Sequence, residues 1–144
     1  MLEVARSIYE EMVAHAERAY PDECCGVMVG RLLGETNRVE RIFEAANVAE
    51  VRRRDRFEMD PGGILVADGW ARANGMDVVG FYHSHPDHPP VPSATDNERA
   101  RPGFHDGYSF LILSIQKGKH AGGRSWTLSG DRLADEPLQI VAGR

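Results

Sequence analysis

The sequence predicts a single α+β domain in which helices cover a curved mixed β-sheet. Strand-like apolar runs stand before and after two helical segments, and most of the connections between them have hairpin length. The length of 144 residues suits one domain with its own hydrophobic core. A content of 42% hydrophobic and 27% charged residues is typical of a soluble globular protein. We therefore expect one domain over residues 1–144.

The first third of the chain predicts a helix followed by a β-hairpin. Apolar residues recur at three- and four-residue steps over residues 2–19, which indicates an amphipathic helix that ends before Pro21. Residues 24–29 form a short apolar run bounded by glycines and predict a buried strand. Residues 38–45 predict a half-exposed partner strand, since the turn residues of 34–37 lie between the two runs.

The middle of the chain predicts a second helix and a central strand. Phe57 and Met59 alternate with charged residues, as in a short strand. Pro61 suits the first turn of a helix, which would run to about Asn74 with Gly75 as its stop signal. The strongly apolar residues 78–83 predict the central strand of the sheet.

The remaining segments predict a rigid loop, a short helix and three strands. Three prolines within residues 87–92 indicate an extended loop. Ser93 begins a short helix that cannot continue past Arg101, because Pro102 and a glycine follow. Residues 108–115, 124–129 and 138–142 predict the last strands.

Composition narrows the classes of function and location. The net charge of -5 argues against a nucleic-acid partner. Cys24 and Cys25 are adjacent and so cannot form an ordinary intrachain disulfide, which favours a reducing, cytoplasmic location. No apolar run approaches the ~18 residues of a membrane span, and we expect no membrane partner.

One stretch carries residues suited to metal chemistry. His83 and His85 flank Ser84 at the end of the central strand, and Asp96 follows eleven residues later. Residues i and i+2 of a strand share a face about 6.6–6.8 Å apart, so both imidazoles can reach one zinc ion. Three protein ligands leave a coordination position open, as a hydrolase requires.

Each of these residues also has a simpler interpretation. Ser93-x-x-Asp96 is a helix-capping pattern, and capping is compatible with ligation because a capped helix is rigid. A general base is still required, and Glu23, Glu58 and Glu98 are the candidates. At the entrance of a buried strand, Glu23 would have a raised pKa that suits proton transfer, or it would be a solvated charge at a junction.

The residues together resemble the JAMM-motif (MPN-plus) zinc metallopeptidases, in their small prokaryotic branch. The pattern of that family is an early glutamate, then His-x-His-Pro, then a spacer and Ser-x-x-Asp. In this chain it is filled by Glu23, by residues 83–86, by a spacer over residues 87–92 and by residues 93–96. The resemblance covers roughly residues 1–130.

The resemblance implies a fold, a site and a class of substrate. The fold would be a curved mixed sheet similar in outline to cytidine deaminases. His83, His85 and Asp96 would bind one Zn²⁺ per chain, Glu23 would activate water, and Ser93 would hydrogen-bond the water or the oxyanion. The substrate would be the C-terminal tail of a ubiquitin-like or sulfur-carrier protein, cut at a peptide or isopeptide bond.

Two other functions are compatible with the same residues. The chain would be a non-catalytic module that binds a carrier protein, or a zinc hydrolase that acts on small amides. Weaker signals have simpler explanations: His88 fits the rim of a groove, Cys25 and Trp70 fit the core, and the three arginines of residues 52–54 fit a solvated loop.

Overall fold

The computed structural model describes residues 1–142, which form one mixed α/β domain. The described residues contain eight strands and three helices. In chain order these are β1 (Leu2–Ala5), α1 (Arg6–Ala19), β2 (Cys25–Leu33), β3 (Thr36–Ala45), α2 (Pro61–Ala73), β4 (Asp77–Pro86), α3 (Ala94–Arg99), β5 (Ser109–Gln116), β6 (Lys119–Ser129), β7 (Arg132–Glu136) and β8 (Leu138–Val141).

All eight strands join one sheet in the order β7-β6-β5-β4-β2-β3-β1-β8. The pairs β4–β5, β1–β3 and β1–β8 are parallel, and the other pairs are antiparallel. The edge strands β7 and β8 are separated in the chain by Pro137 alone. Because one residue spans only a few ångströms, the two edges must approach each other there. The sheet is therefore curved and nearly closed, which confirms the predicted fold class.

The two longer helices cover opposite faces of the sheet. In β2, Met28 belongs to the apolar cluster that packs against α1, whereas Val27 and Val29 pack against Ala67 and Ala71 of α2. Successive residues of a strand point to opposite faces, so the alternation along β2 separates the two clusters. Within the described residues, none of the helices is long and apolar enough to cross a bilayer.

Most of the predicted elements are confirmed. The hairpin of β2 and β3 forms, α1 ends at Ala19, and α2 runs from Pro61 to Ala73 with Gly75 at a positive φ of 66° just beyond it. The short helix begins after Ser93, as its capping pattern predicts.

The start of the first helix is predicted wrongly. Residues 2–5 form β1, which lies between β3 and β8, and the helix begins only at Arg6. Leu2 and Val4 are fully buried in this strand, so pairing with two distant strands outweighs the local helical periodicity. The sequence pattern also did not reveal β7, and around residues 57–59 the structure has only one isolated bridge, between Asn47 and Met59.

Gly80 occupies a position in β4 where no side chain fits. A Cβ atom at Gly80 would lie 1.9 Å from the carbonyl oxygen of Ser109 in β5. The surrounding atoms belong to the backbone of a central strand pair, so they cannot move aside cheaply. Gly69 on α2 differs, because a Cβ atom there meets nothing within 4 Å.

Gly80→Ala should therefore lower the free energy of unfolding by more than about 3 kcal/mol, because it forces β4 and β5 apart. The matched control, Gly69→Ala, should raise it by about 0.5–1 kcal/mol, since alanine favours a helix interior over glycine. Urea unfolding followed by circular dichroism measures both. Equal stability of the two variants would contradict the close approach at Gly80.

Candidate metal centre

The centre is built at the end of β4, the strand that pairs with β2 on one side and β5 on the other. Tyr82 packs with the cluster beneath α1, whereas Phe81 packs with the cluster beneath α2. His83 and His85 follow at two-residue steps from Phe81 and so project from its face. Both imidazoles are buried, with 5% and 6% of each residue exposed, because the neighbouring strands and loops enclose them.

Three side-chain atoms converge on one point beside β4. The Nε2 atoms of His83 and His85 lie 3.2 Å apart, and Oδ2 of Asp96 lies 3.3 Å from the first and 3.1 Å from the second. Ligands arranged tetrahedrally around zinc at bond lengths of about 2.0–2.1 Å are separated by about 3.3–3.4 Å. The triangle of these three atoms therefore has the dimensions of a tetrahedral metal site.

The hydrogen bonding of His85 is compatible with a cation in this triangle. Its Nδ1 lies 2.9 Å from the carbonyl oxygen of Pro89, which can only accept, so Nδ1 carries the hydrogen. In the neutral ring, Nε2 then directs a lone pair toward the carboxylate oxygen of Asp96. Two acceptors at this distance repel each other unless a metal ion or a proton lies between them. The donor set and the tautomer thus fit a metal.

The helix α3 fixes the carboxylate of Asp96. Ser93 caps the helix: its Oγ accepts the backbone N–H of Asp96 at 3.1 Å, and Oδ2 of Asp96 accepts the backbone N–H of Ser93 at 2.9 Å. The same oxygen faces both imidazoles. Capping and convergence on the histidines therefore occur together, as the sequence allowed.

Three carbonyl groups hold the loop between β4 and α3 in place. The carbonyl of Pro89 accepts from His85, that of Pro90 accepts from the indole of Trp126, and that of His88 accepts from the hydroxyl of Ser114. Prolines limit the backbone freedom of this loop. The loop is therefore a rigid support for the histidine ring.

Glu23 lies beside the triangle, just before β2 begins. Its backbone N–H donates to the carbonyl of Arg53, and its carbonyl accepts from the side-chain amide of Asn47. One of its carboxylate oxygens and a nitrogen of each of His83 and His85 all lie within 4.8 Å of one another. Burial raises the pKa of the Glu23 carboxyl to about 8, so near neutral pH it can both bind and release a proton.

Burial and hydrogen-bonded or charged partners shift the pKa values of His83, His85 and Asp96 in opposite directions. Burial lowers the pKa of His83. At His85 and Asp96, burial is outweighed by the partners: hydrogen bonds to Asp96 and Pro89 raise the pKa of His85, and both imidazoles with the Ser93 N–H hold the pKa of Asp96 well below its usual range. Asp96 is therefore a carboxylate, as a metal ligand must be.

Ser84, between the two histidines, points to the opposite face and joins the segment of His83 and His85 to the segment that carries Glu23. Its Oγ accepts the backbone N–H of Cys24 at 2.8 Å, and its own N–H donates to the carbonyl of Cys24 at 3.2 Å. The regular ladder between β2 and β4 ends one residue earlier, at the pair of Cys25 and His83. Ser84 thus extends the contact to the residue that follows Glu23.

Two openings flank the triangle. We call the first the aromatic pocket; it measures about 490 Å³ and is lined by Phe57, Glu58, Met59, Ile64, Phe81, His83, Asp96, Arg99, Ala100, His105, Phe110 and Leu133. We call the second the polar cleft; it measures about 400 Å³ and is lined by Glu23, Arg52, Asp55, His85, His88, Pro89, Val91, Ser93, Ala94 and Thr95. Both openings lie against the triangle, because His83 and Asp96 line the first and His85 lines the second.

The structure also locates the weaker candidates. His88 is exposed on the rim of the polar cleft, and Trp70 packs against the core on α2. Cys24 and Cys25 are buried free thiols, and burial raises the pKa of each to about 12. Among the other candidate bases, Glu98 lies exposed on α3 outside both openings.

Two residues near the site escaped the sequence analysis. The side-chain amide of Asn47 makes four hydrogen bonds. It donates to the carbonyls of Glu23 and Arg56 and accepts from the N–H groups of Ala49 and Glu58. Phe57 stacks against the His83 ring, with ring centroids 4.6 Å apart. The one available signal for Asn47 was the general preference of asparagine for turns.

Comparison with known proteins shows which family the chain belongs to. The sequence profile described as "Prokaryotic homologs of the JAB domain" matches residues 5–129, so the chain is a member of that family. This confirms the resemblance drawn from the motif, because the match spans most of the chain.

Two relatives and one solved structure illustrate the similarity. The chain is 37% identical over 117 residues to a Haloferax volcanii protein named Desampylase, covering 78% of this chain and 80% of that protein. It is 29% identical over 144 residues to the Mycobacterium tuberculosis CysO-cysteine peptidase, covering 98% and 92%. The solution structure of a Desulfitobacterium hafniense protein superposes with a TM-score of 0.83 at 34% identity, covering 99% and 94%. The predicted enzyme class, a hydrolase of peptide or isopeptide bonds, agrees with these relatives.

Ser84→Ala should lower the free energy of unfolding by about 1–3 kcal/mol, because it leaves the buried N–H of Cys24 without an acceptor. Ser129→Ala, at an exposed strand end, is the control and should change stability by less than about 0.5 kcal/mol. The midpoint of urea unfolding measures the difference. If both variants unfold at the same urea concentration, the hydroxyl of Ser84 does not support the backbone beside Glu23.

Proposed function

We propose that this protein is a zinc-dependent peptidase or isopeptidase that hydrolyses an amide bond at the C-terminus of a ubiquitin-like or sulfur-carrier protein. The observation that carries the proposal is the convergence of His83 Nε2, His85 Nε2 and Asp96 Oδ2 at 3.1–3.3 Å beside the buried carboxyl of Glu23. The buried free thiols of Cys24 and Cys25 favour a cytoplasmic location within the same proposal.

In this proposal His83, His85 and Asp96 hold one zinc ion. Zinc at this position supplies a Lewis acid, which polarises a carbonyl group and lowers the pKa of water toward about 7. The protein contributes a rigid arrangement of the three ligands, since the strand, the proline loop and the capped helix each fix one of them.

Glu23 serves as the general base and then as the general acid. It takes a proton from the attacking water, whose hydroxyl group adds to the acyl carbon of the scissile amide. When the C–N bond breaks, Glu23 delivers that proton to the departing nitrogen. Its buried position supports this double role, because a pKa near the working pH favours transfer in both directions.

Ser93 stabilises the negative charge that develops on the substrate oxygen. Its Oγ already accepts the N–H of Asp96, so its hydroxyl hydrogen is free to donate elsewhere. Ser93 also lines the polar cleft beside the triangle. A donor in such a position contributes a few kcal/mol to the stability of an oxyanion.

The substrate class rests on the relatives. One is named for cleaving CysO-cysteine and matches nearly the whole chain. Another, from Thermus thermophilus, is a probable TtuB-protein conjugate cleaving protease and is 34% identical over 101 residues. A carrier-protein tail joined to an amine is the substrate that these names share with the resemblance to the JAMM-motif peptidases.

The zinc content of two variants distinguishes a proposed metal ligand, Asp96, from the proposed general base, Glu23. We expect wild type to retain one zinc per chain after dialysis, and Glu23→Gln to retain the same amount, because Glu23 is not a ligand. Asp96→Asn should weaken zinc binding by more than about 100-fold. Removing a residue that only hydrogen-bonds to a metal ligand already lowers metal affinity by ~10–100-fold. Elemental analysis and competition with a chelator measure this. Loss of zinc from Glu23→Gln together with its retention in Asp96→Asn would exchange the two assigned roles.

Cleavage tests the role of Glu23. Zinc-loaded wild type should cleave a carrier protein whose C-terminal tail is extended by a few residues, and Glu23→Gln should reduce the rate by about 10²–10⁴-fold. Glu98→Gln is the control, because Glu98 is exposed on α3 outside both openings, and its rate should equal that of wild type. Intact mass locates the cut bond. A zinc-loaded wild type that binds the carrier without cutting it would instead favour a binding module.

A further inference from the structure

The backbone of Glu23 is held by a loop that lies outside the regular sheet. We call it the Asn47 loop; it spans residues 46–60, between β3 and α2. The N–H of Glu23 donates to the carbonyl of Arg53 at 2.6 Å, and the carbonyl of Glu23 accepts from Nδ2 of Asn47 at 3.0 Å. The ladders of β2 begin at Cys25, two residues later. The Asn47 loop therefore supplies the backbone contacts that the ladders do not give to Glu23.

The side-chain amide of Asn47 is the centre of this loop. Its Oδ1 accepts the N–H groups of Ala49 at 3.1 Å and Glu58 at 3.0 Å. Its Nδ2 donates to the carbonyls of Arg56 at 3.2 Å and Glu23 at 3.0 Å. All four partners are backbone groups, and together they use both donors and both lone pairs of a carboxamide. Three of these bonds join the loop to itself, and the fourth joins it to the segment of the proposed base.

Other hydrogen bonds close the Asn47 loop without the side chain of Asn47. The N–H of Val48 donates to the carbonyl of Glu58 at 2.8 Å, and the N–H of Asp60 donates to the carbonyl of Ala46 at 3.0 Å. These backbone bonds remain when the side chain of Asn47 is changed. The bond to the proposed base has no such backbone substitute, so it is the contact that a substitution at Asn47 removes selectively.

The ligand triangle has supports of its own. His83 and His85 lie on β4 between two paired strands, and Asp96 is held by the capped helix α3. The Asn47 loop also contacts the triangle, because the ring of Phe57 lies 4.6 Å from that of His83, centroid to centroid. Two kinds of disturbance therefore have different consequences. Displacement of Glu23 alone leaves zinc affinity unchanged, whereas disorder of the whole loop lowers it.

From these contacts we propose that Asn47 is a positioning residue: through the carbonyl of Glu23 it fixes where the Glu23 carboxyl stands relative to the triangle. The proposal rests on the function proposed above, since it uses Glu23 as the proton carrier. Proton transfer requires the two heavy atoms within about 2.6–3.2 Å. A misplacement of about 1 Å, caused by a change away from the reacting atoms, can lower a rate ~10²-fold. Loss of the bond between Asn47 and Glu23 should therefore slow the reaction.

Two substitutions remove that bond in different ways. Asn47→Asp keeps the oxygen that joins the loop to itself, but it has no hydrogen to donate to Glu23. Asn47→Ser is uncharged, and its hydroxyl stands one bond nearer the backbone than Nδ2, so it does not reach Glu23. The control is Asn74→Asp. Asn74 is exposed at the end of α2, outside both openings, and its Nδ2 donates to a backbone carbonyl of that helix at 2.8 Å.

Cleavage of a carrier protein whose C-terminal tail is extended by a few residues gives kcat and KM. Both Asn47 variants should lower kcat about 10–100-fold while KM changes by less than about threefold. Zinc per chain and zinc affinity, from elemental analysis and chelator competition, should equal those of wild type. In the Glu23→Gln background the same substitutions should change the rate by less than about twofold, because the carboxyl that Asn47 positions is already absent. Asn74→Asp should match wild type throughout.

Amide hydrogen exchange gives a readout that does not depend on activity. In both Asn47 variants the peptide of residues 20–25 should exchange about three- to tenfold faster, as expected when a hydrogen bond that holds this segment is lost. Peptides of β4 should exchange as in wild type, since its two ladders do not involve Asn47. Mass spectrometry measures both segments in one experiment.

The outcomes distinguish this inference from the proposed function. Suppose that wild type cleaves the carrier and Glu23→Gln does not. Unchanged kcat in both Asn47 variants, unchanged exchange of residues 20–25, or lost zinc affinity then overturns the inference alone. An equal fall in rate in the Glu23→Gln background also overturns it, because Asn47 would then act on the protein as a whole. If wild type neither holds zinc nor cleaves the carrier, the proposed function fails and this inference fails with it.

Discussion

The two-sided pairing of β4 is the constraint on which the rest of the centre depends. In register, His83 stands opposite Cys25 of β2 and Ile112 of β5. Pairing on both sides restricts the bending of β4, so backbone hydrogen bonds hold the separation of the two imidazoles. The ladder with β2 ends at Cys25, while the ladder with β5 continues to Pro86. Glu23 lies just before the start of β2, at the end of the sheet where the ladder between β2 and β4 stops. It is therefore close to the two histidines.

The centre places four polar side chains where water is largely excluded, which costs free energy unless each has a partner. Asp96 has its capping contacts and both imidazoles, and His85 has the carbonyl of Pro89. Within the described residues, no buried side-chain nitrogen or oxygen is without a hydrogen-bond partner. Glu23 differs because its carboxyl retains a raised pKa rather than a paired charge. The same burial that destabilises its charge makes it suitable for proton transfer.

Local sequence patterns predicted much of this architecture, and distant contacts account for what they missed. The spacing of His83 and His85 on a strand, and the capping pattern from Ser93 to Asp96, depend on neighbours in the chain, and both geometries are present. Residues 2–5 depend instead on pairing with β3 and with β8 near the other end of the chain. Asn47 likewise holds Glu23 across 24 residues. The spacing of apolar residues within a short segment carries no information about contacts with distant parts of the chain.

The elements that hold the triangle and those that shape the openings are different parts of the chain. β4, the proline loop and α3 fix the ligand atoms, whereas α2 and the segment around Phe57 and Arg52 supply much of the walls on either side. Loops and surface helices can change in sequence without disturbing a central strand. Relatives named for different conjugates can therefore share one reaction while differing in the tail that they accept.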